Sequence, residues 1–236
     1  MASRISDITA LISHCRKSII QIEEHYNQSL KNTSISMELK IEIKSLFENL
    51  RSILDYLAHD IKDQFCQAPE SKERFYFPIF RDRKTFEARM SEWFPGLQKS
   101  APKMWKYLET IQPYYHDQQW LGYFNAINNE NKHDHLIEQI MKTSREVRAT
   151  SGDSRVSWKP GSVNFGKGVK IQGVPVDPAT QLPVAHPSQN VEQITWVDFL
   201  FEGINVSALL IMKSAIDGID DISSNVYSII DETSAG

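Results

Sequence analysis

Asn128-Asn129-Glu130-Asn131-Lys132-His133-Asp134-His135 is a run of eight polar residues between two apolar segments. Apolar side chains recur at helical spacing on both sides of the run, and no Gly or Pro interrupts it, so we predict one helix that continues to about Glu146. At about 3.6 residues per turn, Asn129 and His133 share a stripe with apolar neighbours and are expected to face inward, with Lys132, Asn128 and His135 nearer solvent. Buried polar groups need partners, so this stripe is the first candidate site. The apolar residues concerned are Trp120, Leu121, Phe124 and Ile127 before the run, and Leu136, Ile137, Ile140 and Met141 after it.

Two long amphipathic helices are predicted upstream of this segment. Ser3 to Leu30 and Ser36 to Phe65 both carry apolar residues at alternating spacings of three and four. A short polar turn joins them, which favours an antiparallel hairpin. A last helix with the same pattern is predicted from about Asn205 to Ile230.

A polar line runs along the second helix beside its apolar seam. Arg51, Asp55 and His59 are four residues apart and are therefore neighbours on the helix surface. One interpretation is a solvated face with a local Arg–Asp pair. The other places Arg51 and Asp55 across the bundle from Asn129 and His133, where a carboxylate would fix the imidazole tautomer and raise its pKa.

Between the second and the central helix, shorter elements are expected. Residues 74–80 form an apolar extended segment, and Pro78 bars it from a central strand. Arg81 to Met90 is predicted as a short helix, and Pro102 opens another.

The composition changes after the central helix. From about Arg148 to Asn190 the chain is rich in Gly, Pro, Ser and Val, and strands are predicted at 155–158, 163–165, 168–173 and 193–201. We therefore expect a mainly α fold in a single domain. An antiparallel helical bundle (1–147 and 203–231) carries a small antiparallel β-sheet insertion (148–202) before the C-terminal helix.

The bulk composition of the 236-residue chain narrows the classes of function. It is 41% hydrophobic with a formal net charge of −4, which argues against a broad basic surface of the kind that non-specific nucleic-acid binders carry. Cys15 and Cys66 sit at apolar helix positions without metal-ligand spacing, so we interpret them as core thiols. No signal peptide and no membrane span is recognised, and we expect a cytoplasmic protein without metal or cofactor.

Four short motifs follow one another along the middle of the chain. They are Leu50-Arg51-Ser52-Ile53-Leu54-Asp55-Tyr56-Leu57-Ala58, Phe77-Pro78-Ile79, Ile111-Gln112-Pro113-Tyr114 and Asn129-Glu130-Asn131-Lys132-His133. Their order resembles a group of uncharacterised bacterial proteins with an Arg-Ser-x-Leu-Asp helix and an Asn-x-x-Lys-His helix. That group in turn is similar to a distant branch of the HEPN superfamily of helical bundles. The resemblance covers about residues 36–140.

The HEPN likeness implies a homodimer and, in many members, a metal-independent RNase of phage defence or toxin–antitoxin systems. In its R-N-x-x-x-H motif, Asn129 and His133 match, but Asn128 stands where the family has an Arg. An Asn supplies no cation for the phosphate, so Lys132 or Arg51 would have to replace it. His133 would act as base or acid, Asn129 would orient the phosphate or the His, and Asp55 would hold the His tautomer.

Two functions compete at this stage. The first is an RNase effector that uses His133, with RNA as substrate. The second is a non-catalytic HEPN-like module that binds a nucleotide, a nucleic acid or a protein partner of a defence or toxin–antitoxin system. A weaker third hypothesis is a ligand sensor whose sheet covers a bundle pocket. Asn129 and His133 are also open to a purely structural interpretation, as a core network that fixes the helix register.

Overall fold

The computed structural model describes residues 4–32, 34–66, 75–133, 139–201 and 204–234. Within these ranges, the structure does not describe the side chains of residues 31–32, 116, 130–133, 139–141, 144–145, 194–197 and 234. The fold is mainly helical, with small antiparallel sheets and a C-terminal helix. The helices are α1 (Ile5–Asn32), α2 (Met37–Phe65), α3 (Arg83–Trp93), α4 (Leu97–Ser100), α5 (Pro102–Thr110), α6 (Gln119–His133) and α7 (Ala208–Ser234). The strands are β1 (Gln139–Ser151), β2 (Ser154–Trp158), β3 (Lys170–Ile171), β4 (Val174–Asp177), β5 (Leu182–Pro183) and β6 (Asn190–Phe201).

The chain divides into two compact units. The helical unit comprises residues 1–140 and 200–236, and the β-rich unit comprises residues 141–199. No helix in the part of the chain that the structure describes has both the length and the apolar character needed to cross a membrane.

The long helices α1, α2 and α7 confirm the elements predicted from apolar spacing. The side chain of Ser36 caps α2 by accepting a hydrogen bond from the backbone N–H of Leu39 at 3.1 Å. His25 on α1 lies 2.8 Å from the carboxylate of Glu42 on α2, so the two helices of the predicted hairpin are neighbours. Pro102 is the first residue of α5, as its fixed φ favours.

The core of the helical unit brings aromatic side chains from distant parts of the sequence together. The ring of Phe47 on α2 stacks on Phe124 of α6 at 5.6 Å between centroids and meets Phe201 edge-on at 5.8 Å. The indole of Trp120 lies directly on Gly218 of α7, where an added Cβ would come within 2.2 Å of the ring. Helices α6 and α7 are therefore in close contact because position 218 carries no side chain.

The prediction that the central helix runs to about Glu146 is wrong. Helix α6 ends at His133, and β1 begins at Gln139. Val147 and Ala149 are buried while Glu146 and Arg148 are half-buried, which is the two-residue period of a strand. Apolar residues after position 135 also fit helical spacing over so short a run, and periodicity alone does not separate the two structures.

The β-rich unit contains two small sheets, with strand orders β2-β1-β6 and β3-β4-β5. β1 and β2 form an antiparallel hairpin whose turn uses Gly152 at φ +55°, a conformation that favours glycine. The predicted strands at 155–158 and 193–201 are confirmed. The one predicted at 168–173 shrinks to β3, and residues 163–165 form no strand. The core of this unit consists of Val147, Ala149, Trp158, Ile171 and Val176.

Candidate functional site

A cleft of about 300 Å³ opens in the helical unit between α2, α3, α6 and the extended segment that precedes α3. We call it the Arg51 cleft. Its lining combines one cation, two amides and a group of mostly aromatic side chains. The lining residues are Arg51, Tyr76, Phe77, Ile79, Phe80, Trp93, Asn125 and Asn129.

Arg51 is the charged group of this cleft, and its side chain is 8% exposed. Its guanidinium pairs with both carboxylate oxygens of Asp55, at 3.3 Å from Nε and 3.0 Å from Nη2. Nη1 donates to Oδ1 of Asn125 at 3.4 Å, and the ring of Tyr76 covers the group at 5.5 Å. A guanidinium has five N–H donors, so these contacts leave two without a partner among the described residues. The local Arg–Asp pair of the first interpretation is confirmed, but Arg51 is buried and not on a solvated face.

Asp55 positions two walls of the cleft at once. One oxygen also accepts a hydrogen bond from the backbone N–H of Phe77 at 3.2 Å. The carboxylate thus holds the Arg51 side chain and the extended segment together. The role foreseen for Asp55, fixing the tautomer of His133, stays a prediction, because the structure does not describe the side chain of His133. His59, the third member of the polar line, is exposed and packs edge-on against Phe75.

Gln112 anchors the same extended segment from the other side. It is fully buried, and its amide donates to the carbonyls of Pro78 at 3.1 Å and Leu108 at 2.7 Å. Its oxygen accepts from the backbone N–H of Phe80 at 2.9 Å. A buried side chain that satisfies three backbone groups fixes that segment firmly. The four motifs noted in the sequence therefore meet around one cleft.

The aromatic wall of the cleft comes from that anchored segment and from α3. Trp93 contacts Phe80 at 5.5 Å and Tyr76 at 6.4 Å between ring centroids. Tyr76 is 42% exposed, so a ligand can reach its ring. The rings and the guanidinium together form a surface suited to a flat ligand that carries negative charge.

The prediction that Asn129 faces inward and Asn128 faces solvent is wrong. Asn128 is fully buried, whereas Asn129 is exposed at the rim of the cleft. The inward stripe had been defined in part by Ile140, which belongs to β1, and by Leu136 and Ile137, which lie outside the described residues. Asn128 instead continues the stripe of Leu121 and Phe124, at offsets of seven and four residues. Neither polar atom of its side chain has a hydrogen-bond partner in the described part of the chain.

The structure brings two of the five predicted site residues, Arg51 and Asn129, to one cleft, with Asp55 supporting it. His133 and Lys132 belong to α6, but the structure does not describe their side chains. It does not describe any part of His135. The backbone of His133 stands four and eight residues beyond Asn129 and Asn125, so the three positions share one stripe of α6.

Cysteine nucleophiles do not contribute to this site. Burial raises the pKa of the Cys15 and Cys66 thiols to about 11, so both stay protonated at neutral pH. Cys15 is buried, as predicted, and Cys66 is half-buried. Within the described ranges, no group of three His, Cys, Asp or Glu side chains is arranged to hold a metal ion.

Sequence reasoning missed Asn125 and the aromatic wall. Asn125 could have been found, because it is a polar residue four positions before Asn129 on a helix whose other face is apolar. Tyr76 and Trp93 carried no such signal, since aromatic residues in a sequence indicate a core as readily as an open cleft.

Comparison of the chain with known protein families, with curated proteins and with solved structures gives no match.

Proposed function

We propose that this protein is an HEPN-like RNA-binding module that holds one nucleotide of single-stranded RNA in the Arg51 cleft. The observation that carries the proposal is the buried guanidinium of Arg51, which lines an aromatic cleft with two donors unused among the described residues. Burying a charge is costly unless it is paired, and Asp55 occupies only one side of this group. A phosphate supplies the missing acceptors.

The phosphate of a nucleotide matches Arg51 better than a generic anion does. A guanidinium presents parallel donors that pair with two oxygens of one phosphate, and such charge-assisted bonds are strong. Asp55 and Tyr76 already fix the orientation of the group. Little side-chain entropy is therefore lost when a ligand binds.

The base is expected to contact the rings of Tyr76, Phe80 and Trp93. Stacking of a base on an aromatic side chain contributes about 1–3 kcal/mol and tolerates any base. The amides of Asn125 and Asn129 lie on the facing wall, where they can bond a ribose hydroxyl or a base edge. A base inside a duplex cannot enter so small a cleft, which is why we expect single strands.

Binding of a fluorescent single-stranded RNA, followed by anisotropy, tests this function. Wild type should bind RNA better than DNA of the same sequence, and Arg51→Met should weaken binding at least tenfold. Arg16→Met is the matched control, since it removes an exposed arginine that pairs with Asp217 and Asp220 on the surface. Equal binding by wild type and Arg51→Met, with both folded, would contradict the proposal.

A second candidate function is metal-independent cleavage of the bound RNA. The observation that favours it is the shared stripe of Asn125, Asn129 and His133 on α6, with Arg51 facing the first two. His133 takes the proton of the 2′-OH, and the 2′-oxygen attacks phosphorus while the bond to the 5′-oxygen breaks. Arg51 stabilises the charge of the phosphorane in place of the family's motif arginine. An acid, supplied by a second copy of His133 in a homodimer, protonates the leaving 5′-oxygen.

Cleavage is tested by incubating wild type and His133→Ala with a mixed RNA pool in EDTA. Products ending in a 2′,3′-cyclic phosphate from wild type, and none from the mutant, are the expected result. Intact RNA with wild type, in the presence of measured binding, would assign the cleft to binding alone.

A further inference from the structure

A second cleft lies next to the first along helix α6. It has a volume of about 360 Å³, and we call it the Arg81 cleft. It is lined by Arg81, Pro113, Gln119, Gly122, Tyr123, Ala126 and Ile204. It shares no lining residue with the Arg51 cleft, yet both clefts use the same helix.

The two clefts are offset along α6, and consecutive residues of the chain line them. Phe80 lines the first and Arg81, the next residue, lines the second. On α6, the residues of the Arg81 cleft precede those of the Arg51 cleft by four to five positions on average. At 1.5 Å per residue, this offset is about 7 Å along the helix axis.

The Arg81 cleft repeats the chemistry of the first in an open form. Arg81 is exposed and makes no hydrogen bond or ion pair within the part of the chain that the structure describes. Tyr123 supplies a half-buried ring, and Gln119 supplies an amide. Gly122 lets Pro113 approach α6 closely, since a Cβ there would meet the Pro113 side chain at 3.1 Å.

The geometry points to a second nucleotide subsite: the Arg81 cleft receives the nucleotide adjacent to the one held at Arg51. This inference rests on the proposed RNA binding. Successive bases of a stacked strand rise by about 3.4 Å along its axis, so clefts that are offset by about 7 Å hold the two bases unstacked. Each base then contacts its own aromatic wall, Tyr123 in one cleft and Trp93 with Tyr76 in the other. Proteins that read single-stranded RNA separate neighbouring bases in this way.

Binding of ligands that differ by one nucleotide tests the inference. The probes are adenosine 5′-monophosphate and the 5′-phosphorylated adenosine dinucleotide, titrated calorimetrically against wild type. The dinucleotide should bind at least tenfold more tightly. Arg81→Gln should remove most of that gain and lower the salt dependence of dinucleotide binding by about 0.7 in the slope of log K against log salt. Tyr123→Leu should also reduce the gain.

The control is Arg89→Gln, which removes an exposed arginine paired with Glu92 on α3 and should change neither affinity. Mononucleotide binding without any gain for the dinucleotide would overturn the second subsite and leave the proposed function standing. A gain that persists in both Arg81→Gln and Tyr123→Leu would overturn it as well. Failure of both ligands to bind wild type would overturn the proposed function together with the inference.

Discussion

Helix α2 carries two charged residues that are equally buried, Arg51 and Asp60, each 7% exposed as a whole residue. Asp60 is surrounded by donors: the backbone N–H of Arg4 at 3.1 Å, its guanidinium at 2.5 Å and the hydroxyl of Tyr227 at 2.6 Å. Arg51 pairs on one side with Asp55 and faces a cleft on the other. The first charge has partners for both oxygens, and the second keeps donors free of partners among the described residues.

This difference separates a structural charge from a binding one. Asp60 joins α1, α2 and α7, and each partner is supplied by the chain itself. Arg51 is held in place by the chain but leaves room for an acceptor from outside. Stability should therefore depend on Asp60, and ligand binding should depend on Arg51.

Replacement of Asp60 should have the largest effect on stability. Asp60→Ala removes the acceptor that the Tyr227 hydroxyl and the backbone N–H of Arg4 share and one of the two carboxylates that the Arg4 guanidinium contacts, and should lower the free energy of unfolding by about 3 kcal/mol. Urea denaturation measures it. Asp63→Ala is the control, because Asp63 also contacts Arg4 but is 32% exposed, and its loss should cost less than about 1 kcal/mol. Equal losses in the two variants would contradict the structural role of Asp60.

Asn128 is a third buried polar residue. Its side chain has no hydrogen-bond partner among the described residues and lines neither cleft. Asn128→Leu should raise the free energy of unfolding by about 1–2 kcal/mol, because two unpaired polar atoms leave the core. Thermal and urea unfolding give the measurement. Asn125→Leu, four residues earlier but in the Arg51 cleft, should weaken RNA binding without this gain. A less stable Asn128→Leu would show that the amide has a partner.

Arg51→Met should affect RNA binding strongly and stability little, in contrast to Asp60→Ala. We expect the free energy of unfolding to change by less than about 1 kcal/mol, since an apolar chain of similar volume replaces the buried charge and Asp55 is 28% exposed. RNA affinity should fall at least tenfold, or about 1.4 kcal/mol. Arg51→Lys keeps the charge but loses the paired donors, and should bind with intermediate affinity. A large loss of stability in Arg51→Met would make the residue structural, like Asp60.

The smallest effect on stability is expected at the exposed pair of His25 and Glu42. The hydrogen bond to Glu42 raises the pKa of His25 above its usual 6.5. Because the pKa of His25 is raised in the folded state, its protonation contributes full stabilisation below about pH 6.5. That contribution is lost as the pH rises through the raised value. The melting temperature of wild type should therefore exceed that of Glu42→Gln at about pH 5.5 and converge with it by about pH 9. A difference that grows with pH would contradict the assignment.

The helices were predictable because their apolar residues repeat over 20 residues or more, as in α1, α2 and α7. The end of α6 was not, because a run such as 136–141 fits a helix and a strand equally well. Of the site, Arg51, Asp55 and Asn129 were found from polar residues at helical spacing. The choice of the buried Asn in the adjacent pair depended on where α6 was taken to end. The aromatic wall depended on a segment that two residues distant in sequence anchor, Asp55 on α2 and Gln112 just after α5.

The most direct test of the central claim is NMR of arginine side chains labelled at the guanidinium nitrogens, with single-stranded RNA added. The account predicts that the resonances of Arg51, assigned by their absence in Arg51→Met, shift as the RNA saturates. Arg16, which pairs with acidic residues on α7, should not respond. Saturable RNA binding that leaves the Arg51 resonances unchanged would contradict the claim that its guanidinium holds the phosphate.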